Sequence, residues 1–259
     1  SFEDKWCAFT GAPHSLAVTS CTTGMHLAVA ALNLGPGDEV ILPAFTWIST
    51  ANVIEHQGAK PVFCDINSLT FNIDISQIEG LITEKTVGIL PVHLFGLAAD
   101  MEPIMAIAEK HGLWVVEDAA CGFGSTYRGQ HVGNFGNAGA FSFHPRKAIT
   151  TGEGGMVTTN DKSLYHILTL LRSHGITKGN FEFPGISKPD NLLINKDEAL
   201  ENGELKRWYY EMQYLGYNYR ITDIQCALAV SQMNKIDLFL DGRKVMAKYY
   251  DRAFSEVQN

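Results

Sequence analysis

The stretch VGILPVHLFGLAADMEPIMAIAEKHGLWVVED, residues 87–118, decides the fold. Residues 87–93 are a short continuous apolar run, 101–111 carry an amphipathic helical pattern, and 113–118 are apolar again until they end on two acids. Strands that are apolar at consecutive positions are buried on both faces, and a helix between two of them is the crossover that parallel pairing requires. The same unit repeats outward in both directions. Before it, 15–19, 39–43 and 60–65 read as strands. The first is followed by a helix that stops at Leu34-Gly35-Pro36-Gly37, the second by a helix over 49–57, the third by a capped helix over 72–82. After it, 140–143 and 155–159 are strands, and 161–172, 223–239 and 243–254 are helices, the first of these capped by Asp161. The expected class is α/β, a mostly parallel sheet with helices on both faces. In this reading 1–240 form one large domain, and 241–259 begin a smaller C-terminal domain that is cut short. Residues 176–207, where the pattern dissolves into Gly, Asn, Pro and Lys, are a long surface insertion or mobile loop.

Composition narrows the function classes. The 259 residues are 46% apolar and 19% charged, ordinary values for a globular protein. No apolar run approaches the ~20 residues that span a bilayer, and SFEDKWCAF at the start has neither the basic beginning nor the apolar core of a leader, so a cytoplasmic protein without a membrane partner is expected. A formal charge of −8 disfavours nucleic acid, which is bound mainly by excess Lys and Arg. The cysteines, Cys7, Cys21, Cys64, Cys121 and Cys226, are scattered and never spaced as CxxC, which reads as reduced thiols. The histidines form no HExxH or paired spacing, so no metal site is expected.

Three segments carry candidate chemistry. The first is FSFHPRKAITTGEGG, residues 141–155, which sets one lysine, Lys147, between a Pro-Arg step and a glycine-rich turn. A lysine becomes nucleophilic when its ammonium is desolvated or set beside other cations, and His144 and Arg146 are its neighbours in sequence. A solvated surface loop is the plain alternative. The second is Ser20-Cys21-Thr22-Thr23-Gly24 between a strand and a helix; it is either a set of helix caps or an anion site at a helix N-terminus. The third is Glu117-Asp118 at a strand end, of which one must face the carboxyl edge of the sheet, as a ligand group or as a partner of Arg128. Trp47, just past another strand end, is placed either to stack on a planar ligand or to pack in the core. The glycines of 122–129 miss the GxGxxG spacing, so a nicotinamide fold is not supported. A lysine amine, a strand-end carboxylate and a phosphate-binding helix start at one edge of a sheet are what pyridoxal 5'-phosphate needs.

The segments SCTTGMHLA, EDAA, FSFHPRKAITTGEGG and GYNYRITDIQCAL, in that order, closely resemble the DegT/DnrJ/StrS-type nucleotide-sugar aminotransferases, a branch of the fold-type I pyridoxal phosphate enzymes. The last block together with the WYYEMQ that precedes it, residues 208–213, most resembles members that aminate UDP-4-keto-6-deoxy amino sugars. The resemblance implies a homodimer that moves an amino group from glutamate to a UDP- or dTDP-4-keto-6-deoxy sugar in the biosynthesis of cell-surface or modified sugars. It also implies that Lys147 condenses with the cofactor aldehyde and Asp118 pairs with the ring nitrogen. Trp47 stacks on the ring, Cys21, Thr22 and Ser142 hold the phosphate, and Asn218 crosses a dimer interface to the partner's cofactor. Two positions depart from the family. Cys121 stands where glutamine or histidine is usual near the ring hydroxyl, and Cys21 replaces a common glycine. The family's chains are also longer at both ends, and the missing parts are expected to hold much of the substrate selectivity. A sugar dehydratase on the same scaffold is the nearest rival, but that branch has histidine in place of the lysine. A non-catalytic pyridoxal phosphate sensor or inactive fragment, and a fold-type I enzyme acting on amino acids alone, are the others.

Overall fold

The computed structural model describes residues 1–177, 200–201, 204–206, 208, 210–255 and 257, so the insertion expected over 176–207 falls mostly outside the described residues. Seven strands build the central sheet: β1 (His14–Val18), β2 (Glu39–Pro43), β3 (Lys60–Cys64), β4 (Thr86–Ile89), β5 (Trp114–Asp118), β6 (Ala138–Ser142) and β7 (Gly155–Thr159). Their spatial order is β3-β2-β4-β5-β6-β7-β1. Only β7 runs against its neighbours; the rest share one direction. The carboxyl ends of six strands and the start of β7 therefore lie along a single edge.

Among the described residues the α-helices are α1 (Phe2–Thr10), α2 (Cys21–Ala31), α3 (Ser49–Glu55), α4 (Ile75–Ile78), α5 (Met101–His111), α6 (Lys162–Arg172), α7 (Asp223–Met233) and α8 (Ile236–Ser255). Successive strand residues point to opposite faces, and the buried clusters divide by that rule. Leu16, Val18, Val40, Leu42, Val116, Ala138, Ala140 and Val157 join α2, α3 and α6 on one face. Ala17, Phe141 and Met156 join α1, α7 and the start of α8 on the other, where Ile41, Ile89 and Val115 meet α4 and α5. Apart from the edge strand β3, both faces of the sheet are buried, which is why its strands lack polar alternation. Among the described residues no helix is long and apolar enough to cross a membrane.

Three elements differ from the expectations. α1 is absent from them, yet it is firmly anchored: Trp6 has no exposed surface and its ring lies 4.7 Å from Phe123, 4.9 Å from Phe141 and 5.1 Å from Phe143. The helix expected over 72–82 shrinks to α4 and one 3-10 turn, capped by Asp74. Asn72 is occupied elsewhere, donating to the Leu97 carbonyl at 3.1 Å and accepting from the Leu94 N–H at 3.0 Å. At the C-terminal end the chain breaks at Asn234-Lys235 and then runs as one 20-residue helix through Gly242, across the suggested domain boundary at 240–241. A side chain at Gly242 would meet nothing within 4 Å, so the glycine costs only its propensity, about 1 kcal/mol, and does not end the helix.

Candidate active site

The two acids at the end of β5 part company because adjacent strand residues face opposite ways. Glu117 turns to the α5 side and is fully buried. Its Oε1 accepts from the N–H groups of Phe135 and Gly136, both at 2.8 Å, and its Oε2 from Gly133 N–H at 2.6 Å and His93 Nε2 at 2.9 Å. Four donors surround this carboxylate, which pins the 133–136 turn. Arg128, the partner considered for these acids, instead meets Glu102 at 2.5 Å.

Asp118 turns to the α2 and α3 side at the carboxyl edge and is 3% exposed. Thr50 Oγ1 donates to Oδ2 at 2.8 Å, Ala120 N–H to Oδ1 at 3.1 Å, and the Cys21 thiol lies 3.9 Å from Oδ1. All three are neutral donors, and no ion pair involves Asp118 among the described residues. A buried carboxylate in that state is suited to an added cationic N–H.

Cys21 opens α2. The cap is Ser20, whose Oγ accepts from Thr23 N–H at 3.1 Å while Thr23 Oγ1 accepts from Ser20 N–H at 3.0 Å. Caps and anion site thus coexist: Ser20 and Thr23 satisfy each other, and the N–H groups of Cys21 and Thr22 have no partner among the described residues. Gly155 lies against this turn so closely that a Cβ there would stand 2.4 Å from Ser20 C and 2.7 Å from Cys21 N. Gly155 is also the register partner of both Val18 and Ser142, which brings the half-buried Ser142 to the same helix start. Burial pushes the Cys21 thiol well up from its ordinary pKa; the Asp118 carboxylate adds to the effect, Lys147 opposes it and Cys121 adds again. The thiol therefore stays protonated, and the groups that act on it are those gathered at this edge.

Lys147 hangs on the 143–154 loop, which is stitched shut at its base. Thr150 Oγ1 and Thr151 N–H donate to the Phe143 carbonyl at 3.0 and 3.1 Å, and Phe143 N–H to the Gly154 carbonyl at 2.8 Å. Gly152, at φ +80°, makes the turn that glycine adopts freely. From α7 Gln225 donates to the Glu153 carbonyl at 2.7 Å, and from α8 Arg243 donates to the Lys147 carbonyl at 2.8 Å. The Lys147 ammonium points to the Cys121 sulfur at 3.1 Å. The contact of Nζ is thus a thiol, while His144 lies 3.9 Å from Glu153 and Arg146 is exposed.

The structure brings Lys147, Cys121, Cys21 and Asp118 together, with Ser142 and the start of α2 alongside. Among the described residues no hydrogen bond joins Trp47 or Asn218 to that cluster. Trp47 is 69% exposed where the chain leaves β2. Asn218 is exposed on a strap whose flanking Tyr217 and Tyr219 stack at 4.9 Å and dock on His26. The strap is pinned by Thr19 N–H to the Tyr219 carbonyl at 3.1 Å and by the Ser173–Asn218 bridge. A cavity of about 420 Å³ opens behind the loop, between Ile149, Thr150, Phe239 and Met246; Asp118 and Cys121 are not part of its wall. Thr50, in direct contact with Asp118, was not legible as a site residue, because a hydroxyl at a helix start looks like a cap.

The sequence model of the DegT/DnrJ/EryC1/StrS aminotransferase family matches residues 1–259. The chain is 40% identical over 256 residues to the spore coat polysaccharide biosynthesis protein SpsC of Bacillus subtilis, covering 99% of this chain and 61% of that protein. It is 38% identical over 258 residues to GDP-perosamine synthase of Caulobacter vibrioides, covering 100% and 62%. Spr1654 from Streptococcus pneumoniae, solved in a PLP form, superposes with a TM-score of 0.84 at 30% identity over 98% of this chain and 63% of that one. The chain thus spans about three fifths of the length of the curated relatives it matches. The fold is that of the fold-type I pyridoxal phosphate aminotransferases.

Proposed function

This chain belongs to the DegT/DnrJ/EryC1/StrS aminotransferase family, and from that premise we propose that it moves an amino group from glutamate to a keto sugar carried on a nucleotide. The family depends on pyridoxal 5'-phosphate, and the residues present fit that group. Asp118 is a buried carboxylate held by neutral donors alone. The N–H groups of Cys21 and Thr22 are unpaired at the positive end of an 11-residue helix. Bound there, the cofactor supplies an aldehyde for an amine and a ring that takes up the electron pair left when a substrate Cα–H proton departs.

The side chains divide the work as follows. Lys147 Nζ would hold the cofactor through its aldehyde and, as a free amine, would move the proton at the substrate carbon. Asp118 holds the ring N–H, and with it the positive charge that makes the ring an acceptor of electrons. Cys21 and Thr22, through backbone N–H groups, and Ser142, through its hydroxyl, bind the phosphate. Cys121 neighbours the ring hydroxyl, and a thiol there is a weak hydrogen-bond partner. Trp47 would stack on the bound cofactor and Asn218 would contact the cofactor held by a second copy, so that the working unit would be a homodimer. The exposure of both residues supports a role completed by another molecule. The nucleotide is a uridine, thymidine or guanosine diphosphate; a relative whose name carries GDP keeps the last in play beside the first two.

One observation carries the reading: Lys147, Cys121, Cys21 and Asp118 form a connected set at the carboxyl edge. Glutamate added to the pyridoxal phosphate-loaded chain should convert its visible spectrum to that of the pyridoxamine form, and a keto sugar nucleotide should restore it. Borohydride should fix the cofactor to Lys147; capture at another lysine overturns the assignment, and a spectrum restored by keto acids but by no sugar overturns the substrate class.

A further inference from the structure

Thr46 and Thr50 form a hydroxyl relay that ends on Asp118. Thr50 Oγ1 is 2.8 Å from Asp118 Oδ2 and 2.9 Å from Thr46 Oγ1. Proton counting sets its direction. A carboxylate has no proton to offer, so the single hydroxyl proton of Thr50 goes to Asp118, and Thr50 can only accept from Thr46. Thr50 has no exposed surface, and no other hydrogen bond of its hydroxyl is found among the described residues.

The relay acts on the plane of the carboxylate. Ala120 N–H binds Oδ1 at 3.1 Å, with the Cys21 thiol more distantly at 3.9 Å, and Thr50 alone binds Oδ2, so both oxygens are held and rotation of the group is blocked. Oδ2, with Thr50 as its single donor, keeps a further lone pair for the ring N–H. Take Thr50 away and only Ala120 N–H and the distant thiol remain, both on Oδ1. The other end of the relay matters as well. Thr46 precedes Trp47 on the segment that leaves β2, so the hydroxyl pair ties the exposed tryptophan's segment to the same carboxylate.

We propose that Thr50 is a positioning residue for the transamination: its hydroxyl fixes the carboxylate plane of Asp118 toward the ring N–H and, through Thr46, registers the Trp47 segment on the same ligand. The proposal rests on the reading of Asp118 as the partner of the ring nitrogen.

The test compares Thr50→Val, which keeps shape and removes the hydroxyl, with Thr50→Ser, which keeps the hydroxyl, and with Thr46→Val. In the full chain, Thr50→Val should weaken pyridoxal phosphate affinity about tenfold or more, the size expected for a lost hydrogen bond to a charged group. It should lower kcat with little change in the KM for glutamate, and shift the pH at which the bound cofactor's visible absorption titrates. Thr50→Ser should recover most of each effect and Thr46→Val should fall between. In crystals of the cofactor-free Thr50→Val protein the Asp118 carboxylate should be turned about its Cβ–Cγ bond. An unturned carboxylate, or Ser no better than Val, would overturn the proposal and leave Thr50 a packing residue. If Thr50→Val does not fold, Thr46→Val takes its place in each measurement. A parent chain that binds no pyridoxal phosphate would refute the proposed function instead, while the carboxylate orientation would still decide the role of Thr50.

Discussion

His93 Nε2 and Glu117 Oε2 meet at 2.9 Å with both side chains fully buried. His93 Nδ1 also accepts from Ala99 N–H at 3.1 Å, so the ring is a neutral tautomer with its proton on Nε2, donated to the carboxylate. One acid thus joins three backbone N–H groups of the 133–136 turn to the loop that follows β4. Replacing Glu117 with Gln sets an amide NH2 against those donors. Glu117→Gln should destabilise the fold by about 3 kcal/mol or more, the cost of breaking a buried charged network, measured by urea unfolding. An effect under about 1 kcal/mol would mean the turn re-forms without it.

Gly155 has no room for a methyl group. Gly155→Ala would drive a Cβ to 2.4 Å from Ser20 C, and the contact is with backbone that cannot swing aside. The variant should lose about 2 kcal/mol of stability by overpacking, and pyridoxal phosphate affinity should fall further than stability alone accounts for, because the start of α2 is displaced. Calorimetry and cofactor titration on the same sample separate the two effects.

The thiols should react in a fixed order. Cys121 is exposed; Cys64, pushed up to about 11 by burial and by Asp74 and Asp65, and Cys21, held up by burial and Asp118, are not. The thiolate is the reactive form, so alkylation at pH 8 should label Cys121 first and Cys21 last in peptide mass spectra. Loading with pyridoxal phosphate should slow labelling of Cys121, which contacts Lys147 Nζ.

Acid should loosen the fold through two histidines. Burial holds both His26 and His131 below the ordinary imidazole pKa; His56 adds to the effect at His26. His131 Nε2 accepts from Gly124 N–H at 3.0 Å and its Nδ1 faces the Val132 carbonyl, an arrangement that a second proton destroys. A base depressed in the folded state binds more protons when unfolded, so its stabilisation is complete above about pH 6.5 and is lost as pH falls through the folded-state pKa. Melting temperature should decline between about pH 7 and pH 5, and His26→Gln should flatten part of that decline. A flat profile in the parent chain would refute the assignment.

The sheet and the positions of its strands could be read from sequence because continuous apolar runs such as 39–43 and 155–159 admit one interpretation when helices alternate with them, although the strand within the run 87–93 ends at Ile89. Lys147 and the Glu117-Asp118 pair stood out as candidates because a glycine-rich turn and strand-end acids differ from their surroundings. The direction of β7 was not legible, since a buried strand has the same apolar pattern whichever way it runs. Nor was the separation of Glu117 from Asp118, which needs to be counted along a strand whose register only the sheet defines. Thr46 and Thr50 were hidden because their role is to hold another side chain, and nothing local distinguishes such hydroxyls from helix caps.

The reversal of β7 has a consequence for assembly. β6 and β7 pair as neighbours in the chain with the lysine-bearing loop between them, so that half of the site closes over a short contour at little entropic cost. β1 joins β7 across more than half the sequence, and α2 follows β1. Setting the amine beside the oxyanion cradle therefore means closing a loop of more than half the sequence, the costliest kind of contact to form.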